Sequence, residues 1–137
     1  MEHAASLLEG LVLPRLDDPD AWKTYHDKEV CTLLLTTYWD CYQTWQYAGN
    51  HANAEKDGRK FVDLFQRSRR IVINSASQGS KYARILNYLM ERTAKSGNPD
   101  AAKRYLDMYE GCVAEGWLDK SKADEAAAEL NAMLKAR

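Results

Sequence analysis

The sequence predicts an all-α protein of five to six helices packed as antiparallel helical hairpins. Three observations carry that expectation. Apolar residues recur at helical spacing along nearly the whole chain. Gly-containing turns separate the periodic segments, most plainly Ser96-Gly97-Asn98-Pro99. Only one short β-prone triplet, Ile71-Val72-Ile73, interrupts the pattern, and it is too short to make a strand of its own. The 137 residues suit one domain, 1–137, able to bury a core without metals or disulfides, with a sub-boundary available at the loop 74–80.

Taken in order, residues 3–12 place Ala4, Leu7, Leu8, Leu11 and Val12 on one helical face, and Pro14 stops the helix from continuing. Asp18-Pro19 reads as a helix start, because the carboxylate accepts orphan N–H groups and proline lacks a donor at the first position. That short helix carries Trp22 and Tyr25, and a break before a second start near Asp27 is favoured over continuation. Residues 29–48 show Cys31, Leu34, Leu35, Tyr38, Cys41, Tyr42 and Trp45 on one face, widened by Val30, Leu33, Trp39 and Tyr47. Apolar on most sides, this helix is expected to be central and enclosed, ending at Gly49-Asn50.

A helix over 53–74 is expected next, with Ala54, Phe61, Leu64, Phe65, Ser68, Ile71 and Val72 inward and a charged outer face. Gly58 costs about 1 kcal/mol relative to Ala and favours a start nearer Lys60. Asn74 to Ser80 reads as a flexible loop. Tyr82, Ile85, Leu86, Leu89, Met90 and Thr93 then form a helical face ending at Gly97, and Asn98-Pro99 starts another carrying Ala102, Tyr105, Leu106, Tyr109, Cys112 and Val113. Ser121 caps a last, alanine-rich helix with Ala123, Ala126, Ala127, Leu130, Met133 and Leu134 inward.

Residues 82–116, a helix, a Gly-containing turn and a helix, resemble a single tetratricopeptide-type unit or its pentatricopeptide relative. Gly97 followed five residues later by the small Ala102 matches the turn and close-approach positions. Leu86, Leu89, Leu106 and Tyr109 fall near the packing positions, whereas Met90 stands where a small residue is usual. Gly49 and Ala54 repeat the spacing upstream, 48 residues before Gly97, which describes a bundle or a short, irregular array. The resemblance implies a protein-binding scaffold, or an RNA binder on the pentatricopeptide side.

A net charge of −1 conceals a segregation along the chain. Residues 1–55 carry three basic and nine acidic groups, residues 56–104 twelve and four, and residues 105–137 four and seven. The basic island centres on Lys56, Arg59, Lys60, Arg67, Arg69, Arg70, Lys81 and Arg84, the candidate partner-binding residues. Its arginine forks suit carboxylates or phosphates. The basic and acidic segments are expected first to complement each other on folding, as solvated faces paired across helices. An external partner is next, an acidic protein surface ahead of nucleic acid, for which the chain is not basic enough overall and does not interleave aromatics with its arginines. A homo-oligomer is a further option.

Chemistry is less visible. No cofactor and no metal is expected: His3, His26 and His51 show no ligand spacing, and no phosphate-binding, nucleophile-elbow or zinc motif occurs. Cys31, Cys41 and Cys112, an odd number inside apolar stretches, read as buried free thiols of a reducing compartment. Without a secretory or transit pattern at residues 1–10 or an apolar run of about 18 residues, the expectation is a cytoplasmic protein with no membrane association, a processed organellar protein being left open. The expected function is a non-enzymatic protein-binding or assembly subunit. RNA binding through the basic surface is the alternative, and a small enzyme using Cys31 or Cys41 with His51 the second alternative.

Overall fold

In a computed structural model, residues 2–73 and 75–136 are described. The chain is all-α: the described residues form six α-helices and no strand. Helix α1 spans Glu2–Val12, α2 Tyr25–Tyr47, α3 His51–Ser68, α4 Ser75–Lys95, α5 Pro99–Ala114 and α6 Lys120–Lys135. They fall into two compact units, 1–75 and 76–137. Each unit nearly balances its own charge, with nine basic against eleven acidic groups in the first and ten against nine in the second. The segregation along the sequence is therefore largely cancelled within each unit.

In the first unit, α1, α2 and α3 run antiparallel in succession. Glu9 on α1 meets Tyr38 on α2, whose Oη donates to Glu9 Oε2 at 2.6 Å. Trp39 on α2 meets Phe61 on α3 with ring centroids 6.3 Å apart, and Cys31, one end of α2, meets Ser68 at the far end of α3. Phe61 and Phe65 stack at 6.2 Å, and Leu34, Leu35, Leu64 and Cys31 fill the space beside them with at most 1% of their surface exposed. Burying such side chains contributes about 1.5–3 kcal/mol each.

The links between these helices follow from capping chemistry. Asp18 accepts the Asp20 N–H at 3.0 Å and starts a 3-10 turn over Pro19–Trp22. The break expected before α2 occurs, but its cap is Thr24, not Asp27. Thr24 Oγ1 accepts the Asp27 N–H at 3.1 Å while the Asp27 carboxylate accepts from the Thr24 N–H, a reciprocal capping box. The Thr24 hydroxyl also donates to Asp27 and, with Arg15 nearby, holds that carboxyl below its ordinary pKa. Arg15 ties the turn together: it lies over the Trp22 ring at 5.3 Å, and its carbonyl accepts the Trp22 indole N–H at 2.9 Å. Gly49, at φ +74°, ends α2, and Asn50 caps α3 by accepting the Asn53 N–H at 3.1 Å.

Three expectations for this unit are corrected. First, α1 is rotated: Ala5 and Val12 are buried, whereas Leu7 and Leu11 are 61% and 54% exposed. Seating Glu9 against Tyr38 and Lys60 turns those leucines outward. Second, α3 begins at His51 with Gly58 buried inside it, because packing of Ala54 and Phe61 on either side outweighs the glycine's weak propensity. It also ends at Ser68 rather than continuing to 74. There the Ser68 carbonyl receives the N–H groups of Ile71 and Val72, and the Ile73 N–H donates to Thr32 Oγ1 on α2 at 3.0 Å. Third, α2 is not enclosed on all sides, since Leu33 and Tyr47 stand 52% and 90% exposed.

In the second unit, α4 begins at Ser75, so the expected loop is helical from that residue on; Asn74 lies outside the described residues. A tertiary contact supports the first turns of this helix. Gly79 lies so close to the Trp117 ring that any Cβ there would collide with it, and Tyr82 meets the same indole edge-on at 6.1 Å. Glycine is thus a packing residue here. The same contacts close the α4–α5 hairpin: Gly97, at φ +85°, ends α4, Asn98 caps α5 by accepting the Ala101 N–H at 3.2 Å, and Trp117 returns to the start of α4. Helix α6 packs on α5 and reaches α4 through Leu130 and Met133, near Met90. Its cap position is Asp119 rather than Ser121.

Candidate functional site

Six of the eight candidate cations fall on α3 and the turn after it, and Lys81 and Arg84 lie on α4 in the second unit. Lys56, Arg59, Lys60 and Arg67, at spacings of three, one and seven residues, fall on the side of α3 opposite Phe61 and Phe65. Much of this charge is already compensated. Arg59 pairs with Glu55 at 3.1 Å, and Arg67 lies 3.6 Å from both Asp17 and Asp63. Lys60 is half-buried, 3.6 Å from Glu9 and 5.7 Å from the centre of the Tyr38 ring. Burial and the adjoining Glu9 carboxylate together push the Tyr38 phenol well above its ordinary pKa. Arg69 is exposed. Among the described residues, Lys56 and Arg70 are exposed and have no ion-pair partner.

A second surface lies on α2. Tyr25, His26, Glu29, Val30, Leu33 and Thr36, together with Ile73, line a groove of about 460 Å³. Its threonines are spent on the backbone: Thr32 Oγ1 donates to the Lys28 carbonyl at 2.8 Å while accepting from Ile73, and Thr36 Oγ1 donates to the Thr32 carbonyl at 3.1 Å. The open chemistry is therefore apolar, from Tyr25, Val30, Leu33 and Ile73, with the Glu29 carboxylate and the exposed His26 imidazole as its polar groups. Asp40 and Tyr47 extend the same helical row beyond the groove, and both are exposed. Neither Glu29 nor Asp40 has an ion-pair partner among the described residues. The sequence does not single out this surface, because Leu33 adjoins the buried stripe of α2 and Tyr25 falls with the short helix before it. The i, i+4, i+8 spacing of Tyr25, Glu29 and Leu33 was the signal available.

The thiols are buried, and the described histidine side chains are exposed. Cys31, Cys41 and Cys112 are free and buried. Burial pushes the Cys31 thiol up to about 11, against the smaller opposing effect of its Ser68 hydrogen bond, the reverse of what activates a nucleophile. Cys112 Sγ donates to the Met108 carbonyl at 3.4 Å. His26 and His51 are exposed, and the His3 side chain lies outside the described residues. No group of three His, Cys, Asp or Glu among the described residues is arranged to hold a metal ion, and no described helix is long and apolar enough to cross a membrane.

Comparison with known proteins returns no match to a family model, a curated protein or a solved structure. The tetratricopeptide resemblance of 82–116 therefore rests on its own residues.

Proposed function

We propose that the protein is a non-enzymatic helical binding or assembly subunit whose partner contacts the outer faces of the first unit. The observation that supports this reading is where its exposed large apolar side chains lie. Leu7, Leu11, Tyr25, Leu33 and Tyr47 all stand on α1 and α2, between 52% and 90% exposed. Contiguous exposed apolar surface marks a contact site, and Leu7 with Leu11 one turn on, and Tyr25 with Leu33 two turns on, each share a helical face. The α3 row is a secondary contact on this reading, because Lys56 and Arg70 remain to meet a partner's carboxylates. The RNA-binding alternative draws on the same α3 cations, three of which are held by carboxylates of this chain.

The test is affinity capture of a tagged full chain from native extract, beside two variants. Leu7→Asp with Leu11→Asp, and separately Leu33→Asp, are expected to lose a partner that wild type retains. Identical partner sets for all three proteins would contradict the assignment of the surface to these helices.

A further inference from the structure

We propose that the groove along α2 docks a basic amphipathic helix of another protein. This inference rests on the reading of the chain as a protein-binding subunit and names the partner's chemistry. Val30, Leu33, Ile73 and the Tyr25 ring supply the apolar lining of the groove. Its threonine hydroxyls are committed to backbone carbonyls, which leaves Glu29 and His26 as the polar groups of the lining. The long axis is a helix. From Tyr25 to Thr36 it rises about 16 Å, roughly three turns, the length over which a docked helix presents anchors at i, i+3 or i+4, and i+7. The row continues as Leu33, Thr36, Asp40, Gln43 and Tyr47, alternating steps of three and four residues, the spacing at which two helices keep one seam in register.

Charge selects the occupant. Glu29 on the groove rim and Asp40 one further step along are exposed carboxylates with no cation beside them among the described residues. Two of the α3 cations are engaged elsewhere: Lys60 is held to Glu9 on α1 and Arg67 to Asp17. Lys28 sits about 100° around α2 from Glu29. A partner helix with an apolar stripe flanked by Lys or Arg would fill the groove and neutralise both carboxylates. One flanked by Asp or Glu would place like charges together, which disfavours the wrong partner more strongly than it helps the right one.

The experiment uses the full chain and two fluorescein-labelled synthetic 18-residue peptides that share one Leu stripe at i, i+3, i+4, i+7 spacing. One carries Lys and the other Glu at every flanking position. Fluorescence anisotropy is read at about 0.1 M salt, where exposed charges still interact. The Lys peptide is expected to bind at least about tenfold tighter than the Glu peptide, and Glu29→Lys with Asp40→Lys is expected to reverse that order. Leu33→Asp is expected to weaken the Lys peptide at least about fivefold, with its helical circular dichroism and melting curve matching wild type. The proposal is overturned if neither peptide binds, if both bind equally, or if the double charge reversal leaves the Lys peptide's affinity unchanged. In those cases the capture experiment above still decides whether the first unit binds a partner at all, so the two failures are distinguishable.

Discussion

The outer faces of α2 and α3 belong to neighbouring helices of one unit and differ in a way that net charge conceals. The α3 face carries the chain's densest run of cations, yet Arg59, Lys60 and Arg67 are each within ion-pair distance of a carboxylate. The α2 face carries few charges, but Glu29 and Asp40 have no counter-ion among the described residues and stand beside exposed Tyr25, Leu33 and Tyr47. Charge density in a sequence measures how many ionisable groups are present. The potential available to a partner is what remains after the fold has paired them. By that measure Glu29 and Asp40 on the sparser face weigh as much as Lys56 and Arg70, the cations left without a partner among the described residues on the denser one.

The largest expected effect comes from the inner sides of the same two helices. Phe61→Ala should cost about 3–5 kcal/mol in urea unfolding, because it removes a fully buried ring stacked on Phe65 and set against Trp39. Leu33→Asp on the outer side should stay within about 0.5 kcal/mol of wild type. Comparable losses for the two would mean that Leu33 is a core residue and that α2 has no open face.

Alkaline titration probes the seam where α2 meets α3. The folded protein holds the Cys31 thiol up to about 11, against an ordinary value near 9 in the unfolded chain, so between these limits the unfolded chain releases the proton first. Stability should therefore be intact below pH 9 and fall by on the order of 2–3 kcal/mol as pH rises to 11. Tyr38, shifted in the same direction, adds to the loss above pH 10. Cys31→Ala should lose less stability over this range, and an unchanged slope would show that the thiol is not buried against Ser68.

Among the α3 cations, Lys60→Met should cost about 1 kcal/mol. It leaves Glu9 and Tyr38 without the ammonium that faces both. The smallest effect is expected from Lys56→Met, which should be neutral within about 0.5 kcal/mol because Lys56 holds no partner among the described residues. Equal costs would erase the distinction between committed and available cations on this face.

The helical class and most of the buried positions were legible in the sequence, because 3.6-residue periodicity is a local property. Phe61, Leu64 and Phe65 on α3, and Ile85, Leu86 and Leu89 on α4, all point inward as their spacing indicates. The departures trace to contacts between distant residues. Gly79 is helical because Trp117, 38 positions later in the sequence, packs on it. Leu7 and Leu11 face outward because Glu9 between them is drawn to Tyr38 and Lys60. On the candidate surface the i, i+4 pairs Glu55–Arg59 and Asp63–Arg67 are legible in the sequence, whereas Asp17, distant in sequence, is brought to Arg67 only by the fold. Leu33 reads as one more buried leucine until the neighbours of α2 are in place.

The most direct measurement of the central claim is a map of backbone amide chemical shifts of the full chain as the Lys-flanked peptide is added. The account predicts that the perturbed amides gather between Tyr25 and Thr36 and at Ile73, with those of α3 from Lys56 to Arg67 little changed. Perturbations centred on Lys56 to Arg70, with Tyr25 to Thr36 unmoved, would contradict it and return the working surface to the basic row.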